Sequence, residues 1–121
     1  MQKRLLLLRD SSWERAIGFE AYVPESIEEF AQGVRPYEPL GSNEAMVFLF
    51  SSHSPKQFTM ENVVHGLDIL FFDDLGVLQE IREASSGQHR VHGTGKMVVE
   101  MRRGISRWIG ARPRRTTGEL R

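Results

Sequence analysis

The chain has 121 residues, and its 40% hydrophobic and 26% charged residues are typical of one globular domain rather than a disordered segment. It contains no cysteine, which excludes disulfides, thiolate metal sites and thiol catalysis. The longest apolar stretch near the start, Leu5–Leu8, is too short for a signal peptide or a membrane span, so we expect a soluble cytoplasmic protein.

The formal net charge of zero hides an uneven distribution along the chain. Residues 1–85 carry seven basic and fourteen acidic side chains, whereas residues 86–121 carry nine basic and two acidic ones. Such an asymmetry indicates either an anionic partner or a basic end that lies against the acidic body of the same chain. We favour the second interpretation, because scattered exposed charges cost a fold little.

The first third of the chain predicts two strands and a helix. Leu5–Leu8 is typical of a short strand, and the alternation across Ile17–Val23 predicts a half-buried one. Ser26, followed three residues later by Glu29, forms a capping box that predicts one short amphipathic helix ending at Gly33.

The middle of the chain contains two apolar runs. Ala45–Phe50 is apolar at every position, and Leu67–Phe72 is interrupted only by Asp68. Both runs predict strands that are covered on both faces.

The last third predicts a hairpin, a strand and a helical turn. Gly76 suits the positive φ of a hairpin turn, so residues 77–83 should pair back onto the preceding strand. We expect a loose stretch over 84–95, a final strand over 96–101, and a short helical turn over 105–109.

This pattern predicts a mainly β (α+β) fold, either a compact β-sandwich or a partly open barrel, with about two short helices. Residues 1–110 should form a single globular domain in which Trp108 docks on the sheet. Residues 111–121 have almost nothing to bury and predict a basic, mobile C-terminal tail.

Three segments, Ala45–Phe50, Phe58–Asn62 and Leu67–Asp73, resemble consecutive motifs of the family called "domain of unknown function 192". The family motifs read G-M-L-F-x-F, F-W-M-K-N and P-L-D-I-x-F-x-D, and the flanking segments 26–33, 98–104 and 108–110 are also similar. The resemblance implies a compact, sandwich-like, mainly β domain of bacteria and archaea, often exported or lipid-anchored, with no established activity.

The chain departs from this pattern at informative positions. Thr59 stands where the family has Trp, Glu61 where it has Lys, and Gly66 where it has Pro. A family function that depends on the lysine would therefore not carry over to this chain.

Polar residues among apolar neighbours supply the candidate site. Buried polar groups must be hydrogen-bonded, so the structural interpretation is that Asp68 accepts backbone N–H bonds and fixes the loop 63–66. The functional interpretation is a shallow ligand pocket lined by Phe58, Met60, Asn62, His65 and Asp68.

The leading hypothesis is a non-catalytic module that binds a small ligand or a protein partner, without cofactor, metal or membrane. The sequence does not indicate an oligomeric state.

Two alternatives remain open. A histidine-based, metal-dependent hydrolase would draw on His53, His65, His89 and His92, but no His-Glu-x-x-His motif is present. Weak electrostatic nucleic-acid binding would use the basic run 112–115, where only Trp108 offers an aromatic surface for stacking. We therefore do not expect nucleic acid to be the partner.

Overall fold

The computed structural model describes residues 1–121 as seven strands and two short helices. The strands are β1 (Gln2–Arg9), β2 (Ile17–Val23), β3 (Glu44–Phe58), β4 (Leu67–Phe72), β5 (Leu78–Ala84), β6 (Val91–Arg102) and β7 (Thr117–Leu120). The helices are α1 (Ile27–Gln32) and α2 (Ile105–Ile109), and a 3₁₀ turn covers Arg35–Tyr37. With 50% strand and 12% helix, the mainly β prediction is confirmed.

All strands belong to one sheet in the order β5-β4-β6-β3-β2-β1-β7. Neighbouring strands are antiparallel except for β2 and β3, which run parallel. The sheet curls into a half-barrel, which agrees with the partly open barrel expected from the sequence. An isolated bridge between Val77 and Thr117 links the β4–β5 turn to β7.

The curled sheet has an apolar cluster on each face. On β3, Ala45 and Val47 belong to one cluster, whereas Met46 and Phe48 belong to the other. The first cluster includes Ile105 of α2, and the second packs against Phe30 of α1. Each helix therefore covers a different face of the sheet.

Helix α1 begins and ends where the sequence predicts. The Ser26 side chain accepts a hydrogen bond from the Glu29 backbone N–H, and Gly33 closes the helix with φ +56°. The Glu29 carboxylate accepts a hydrogen bond from the Glu25 backbone N–H rather than from Ser26. The capping box is thus only half formed, but it fixes the helix at the same residues.

The two central apolar strands differ in burial. Every residue of Leu67–Phe72 is buried, as predicted. In Ala45–Phe50 only the first four residues are buried, and Leu49, the last residue before the ladder with β6 becomes irregular, is exposed. The prediction of cover on both faces therefore fails at the end of this run.

Two regular segments lie where the sequence predicts irregular structure. Residues 91–95, expected in a loose stretch, extend β6 and pair with the second half of β3. The expected mobile tail contains β7, which pairs with β1, so the assignment of 111–121 as a tail is corrected. The physical reason is backbone pairing, which needs no apolar side chains.

Trp108 also departs from the sequence prediction. Its side chain is 83% exposed, whereas Ile105 of the same helix is only 6% exposed. Helix α2 therefore docks on the sheet through Ile105, and the expected docking of Trp108 is corrected. A helix of five residues presents only one narrow face to the core, and Ile105 occupies it.

Candidate functional site

The five residues expected to line a pocket lie in three different environments. Phe58 and Asn62 line one cavity, whereas Met60 is buried in the adjacent core. His65 is exposed outside that cavity, and Asp68 lies on the other face of the sheet, beside Ser106. The structure therefore brings two of the five together.

Asp68 holds helix α2 in place. One carboxylate oxygen accepts hydrogen bonds from the backbone N–H groups of Gly104 and Ser106, both at 3.0 Å, and from the Ser106 hydroxyl at 2.6 Å. The other oxygen is buried and has no partner. Asp68 thus accepts backbone N–H bonds, as the structural interpretation held, but it fixes α2 rather than the loop 63–66.

The loop 63–66 is held by Glu38, and His65 takes part in this contact. The Glu38 carboxylate accepts hydrogen bonds from the backbone N–H groups of Val64 and His65, and it lies 3.1 Å from the His65 Nδ1 atom. Glu38 therefore fixes the loop that follows the cavity-lining segment.

The histidines do not assemble into a metal site. No group of three or more His, Asp or Glu side chains is placed to hold a metal ion. His53, His89 and His92 are exposed, and the only carboxylate beside His65 is Glu38. The donor set that a histidine-based metallohydrolase requires is not brought together.

The cavity lies between α1, the second half of β3 and the segment 59–63, and its volume is about 450 Å³. Aromatic side chains form much of its wall. Their ring centroids lie between 5.5 and 6.4 Å apart in tilted and edge-to-face arrangements, the preferred geometries of aromatic pairs. These residues are Phe30, Phe48, Phe50 and Phe58.

The segment 59–63 is anchored on both sides by hydrogen bonds to its backbone groups. The Met60 N–H donates to the Gln88 carbonyl at 2.7 Å, and the Ser86 hydroxyl donates to the Val63 carbonyl at 2.8 Å. Between them Asn62 adopts a φ of +63°, a left-handed conformation that Asn tolerates better than most residues. The cavity wall is therefore built into the fold.

Glu100 of β6 contributes a carboxyl group to this apolar cavity. It pairs in register with Met46 of β3 and Ile69 of β4, and it is only 5% exposed. Burial raises the pKa of Glu100 to about 7, and no hydrogen bond or neighbouring charge offsets that effect. A carboxyl group without partners at this depth is costly to ionise.

Sequence reasoning missed Glu100. The alternation across 96–101 places Met97, Val99 and Met101 on one face and suggests that Glu100 points to solvent. In the structure the second face is also covered, since Val98 belongs to the cluster beneath α1. The sequence does contain a signal for Glu100: it is a carboxylate inside an otherwise apolar run, the same pattern that identified Asp68.

Three further charged side chains lie around the cavity, and two of them are engaged by their own surroundings. The Arg35 guanidinium donates to the carbonyls of Ala31 and Gln32. The Lys56 ammonium donates to the Ser54 hydroxyl at 2.7 Å and lies 4.3 Å from the Phe50 ring centroid. The third, Glu61, is exposed.

Several arginines of the basic end pair with the acidic body. Arg112 lies 2.9 Å from Asp10, and both Arg103 and Arg107 reach the Glu83 carboxylate. These contacts support the interpretation that the basic end of the chain pairs with acidic residues of the same chain. The expectation that nucleic acid is not the partner stays a prediction.

A family model for DUF192, described as "Uncharacterized ACR", matches residues 10–115. The chain belongs to the DUF192 family. In this DUF192 domain Thr59 and Glu61, which stand where the family motif has Trp and Lys, both line the cavity. Two of the three departures from the motif therefore lie around the cavity, whereas the third, Gly66, lies outside it.

Two crystal structures show the same fold. A protein of Sinorhizobium meliloti 1021 described as a "putative transcription regulator" shares 20% identity with a TM-score of 0.89, over 98% of this DUF192 chain and 94% of its own. A Novosphingobium aromaticivorans DSM 12444 protein of unknown function shares 23% identity with a TM-score of 0.85, over 98% and 86%. No curated protein matches the chain. None of its helices is long and apolar enough to cross a membrane.

Proposed function

We propose that this DUF192 domain is a non-catalytic module that binds a small organic ligand in the cavity beside α1. The observation that carries the proposal is the Glu100 carboxyl, which is buried, lines the cavity and has no protein partner. The Glu100 oxygens are not among the fully buried atoms that lack a partner, so they reach the space of the cavity. A polar group of a ligand in the cavity can therefore pair with them.

The size and chemistry of the cavity support the proposal. Its volume of about 450 Å³ falls within the range of small-molecule sites, which are apolar clefts with a few polar groups that fix orientation. Four phenylalanines supply the apolar surface, and Glu100 with the amide side chains of Gln32, Gln57 and Asn62 supplies polar groups. No Ser-His or Cys-His pair lies among the lining residues, so a binding role fits better than nucleophilic catalysis.

The test is a fragment screen by two-dimensional amide NMR with one blocking variant and one control. Ala31 is an exposed residue of α1 that lines the cavity, so Ala31→Trp should fill the entrance without disturbing the core. Ile27 lies on the same helix, is 87% exposed and does not line the cavity, so Ile27→Trp is the matched control.

We expect fragments that shift the amide signals of residues 30–35 and 56–63 in the wild type and in Ile27→Trp, but not in Ala31→Trp. Both variants should retain the wild-type melting temperature. If no fragment from a library with neutral, cationic and anionic members shifts these signals, or if Ala31→Trp responds like the wild type, the proposal fails.

A further inference from the structure

Within the proposed ligand-binding function, on which this inference rests, we infer that the ligand is an organic cation: an amine whose ammonium group pairs with the Glu100 carboxylate while its apolar body packs against the phenylalanine walls. The juxtaposition that carries the inference is a buried, unpartnered carboxyl group and four aromatic rings around one cavity.

The carboxyl group selects the polar end of the ligand. An ionised carboxylate only accepts hydrogen bonds, so its partner must be a donor. A neutral donor would leave the buried charge uncompensated, whereas an ammonium group supplies both the donors and the opposite charge. Breaking a buried ion pair is strongly unfavourable, so such a partner should bind with a marked preference over its uncharged analogue.

The aromatic walls favour the same class of ligand. The faces of phenylalanine rings attract cations within about 6 Å of the ring centroid. The Lys56 ammonium already occupies this position at Phe50, 4.3 Å from the centroid. Phe30, Phe48 and Phe58 line the same cavity, and they offer apolar surface for the rest of the ligand.

The other charged groups around Glu100 do not satisfy it. Arg35 is bound to carbonyls at the end of α1, and Lys56 of β3 is bound to Ser54.

The remaining charged groups near Glu100 are exposed or lie on the other face of the sheet. Glu61 in the segment 59–63 and Arg102, two residues further along β6, are both exposed. On β4, Asp68 lies on the opposite face of the sheet and is engaged by Ser106. None of these groups acts on the pKa of Glu100, whose only perturbation is burial.

A proton is linked to this binding event. Burial raises the pKa of Glu100 to about 7, so the empty site holds a proton below neutral pH. An ammonium ligand stabilises the carboxylate and releases that proton to solvent. Affinity should therefore increase about ten-fold per pH unit as the pH rises towards 7. It should then level off until the amine itself loses its proton.

The test compares two probes of nearly equal shape, 2-phenylethylamine and 2-phenylethanol, by calorimetry and amide NMR. The variant is Glu100→Gln, which keeps the shape of the side chain and cannot ionise. We expect the wild type to bind the amine at least ten-fold more tightly than the alcohol at pH 8. In Glu100→Gln the amine should lose at least ten-fold in affinity, whereas the affinity for the alcohol should stay the same.

A second measurement uses only the wild type. Calorimetry at pH 6.5 in two buffers with different ionisation enthalpies should show proton release when the amine binds, and no release when the alcohol binds. Equal affinities for amine and alcohol, or no loss of amine affinity in Glu100→Gln, would overturn the inference.

The two proposals fail in different ways. If neither probe binds but other fragments occupy the cavity in the NMR screen, the cation inference is wrong and the ligand-binding function stands. If no fragment of any charge binds there, both are wrong.

Discussion

The guanidinium of Arg112 lies 2.9 Å from a carboxylate oxygen of Asp10, a residue 102 positions earlier in the chain. The same carboxylate accepts hydrogen bonds from Ser12 and from the buried hydroxyl of Thr116. The hydrogen bond from Arg112, followed by those from Ser12, holds the pKa of Asp10 well below its usual range. The segment after α2 is therefore tied to the start of the fold by side chains as well as by β7.

Removing residues 111–121 should destabilise the protein. The truncation eliminates the backbone hydrogen bonds between Leu5 and Arg121 and between Leu78 and Thr116, together with the contact of Arg112 with Asp10. Because each such bond contributes about 1 kcal/mol net, the free energy of unfolding should fall by roughly 3 kcal/mol or more. Chemical denaturation of both chains measures this difference.

The control for the truncation is Arg115→Ala. Arg115 is an exposed residue of the same segment and forms no salt bridge, so its replacement should leave the denaturation midpoint unchanged. An unchanged midpoint after the truncation itself would show that β7 does not stabilise the sheet.

Two substitutions in helix α2 should have opposite outcomes. Trp108 is 83% exposed, so Trp108→Ala should change the free energy of unfolding by no more than about 0.5 kcal/mol. Ile105 is buried in the cluster on the α2 face, so Ile105→Ala should cost about 2–5 kcal/mol. Urea denaturation of both variants checks the pair, and a larger loss for Trp108→Ala would mean that the helix docks through the indole.

The sequence predicted the strands that carry their own hydrophobic pattern. Ile17–Val23 and Leu67–Phe72 are recognisable because their side chains alternate or are uniformly apolar. The pattern fails for residues 91–95, which contain two glycines, and for β7, whose residues are mostly polar. Those segments become strands because neighbouring strands offer unpaired backbone groups, and this information lies elsewhere in the chain.

Gly93 should not tolerate a side chain. A Cβ atom at this position would lie 2.4 Å from the Phe71 ring, and Phe71 is fully buried and packed edge-to-face against Phe58. Since the ring has little room to move, Gly93→Ala should cost about 1–3 kcal/mol. Thermal unfolding measures the effect.

The matched control for this substitution is Gly18→Ala. A Cβ atom at Gly18 would lie 3.3 Å from the tip of the exposed Leu5 side chain, which can move aside. This variant should therefore be close to neutral. In addition, Phe71→Leu should reduce the cost of Gly93→Ala when the two are combined, and simple additivity would show that the ring does not cause the clash.

Glu100 should make the stability of the protein depend on pH. Its pKa is about 7 in the folded chain against an ordinary value of 4.5, so between these values the folded state holds a proton that the unfolded state releases. Stability should therefore fall as the pH rises from about 4.5 to about 7. For this residue alone the loss is at most about 3 kcal/mol, at 1.36 kcal/mol per pKa unit.

The measurement is the free energy of unfolding of the wild type and of Glu100→Gln between pH 4 and pH 8. The difference between the two curves isolates Glu100 from the other carboxylates. It should grow in favour of Glu100→Gln as the pH rises towards 7 and then stay constant. Parallel curves across this range would contradict the raised pKa.

The candidate site was only partly accessible to sequence reasoning. Phe58 and Asn62 are identified because they lie in a recognisable motif next to apolar strands. Glu100 and Phe30 are far from that motif in the chain, and only the pairing of β3 with β6 and the docking of α1 bring them to it. Whether residues that are distant in the chain meet at one cavity depends on the order of the strands in the sheet, and local periodicity does not encode that order.

The position of β7 has a consequence for behaviour at high protein concentration. Its neighbour β1 contains four consecutive leucines, Leu5–Leu8, and β7 occupies the backbone edge that this strand would otherwise present. A free edge next to such a run is a template for adding strands from other molecules, the first step towards fibrils. The outer side of β7 is only four residues long, is partly paired with the β4–β5 turn through the bridge between Thr117 and Val77, and carries the exposed charge of Glu119. These mostly polar residues therefore complete the sheet and leave little free backbone at this edge for another molecule to pair with.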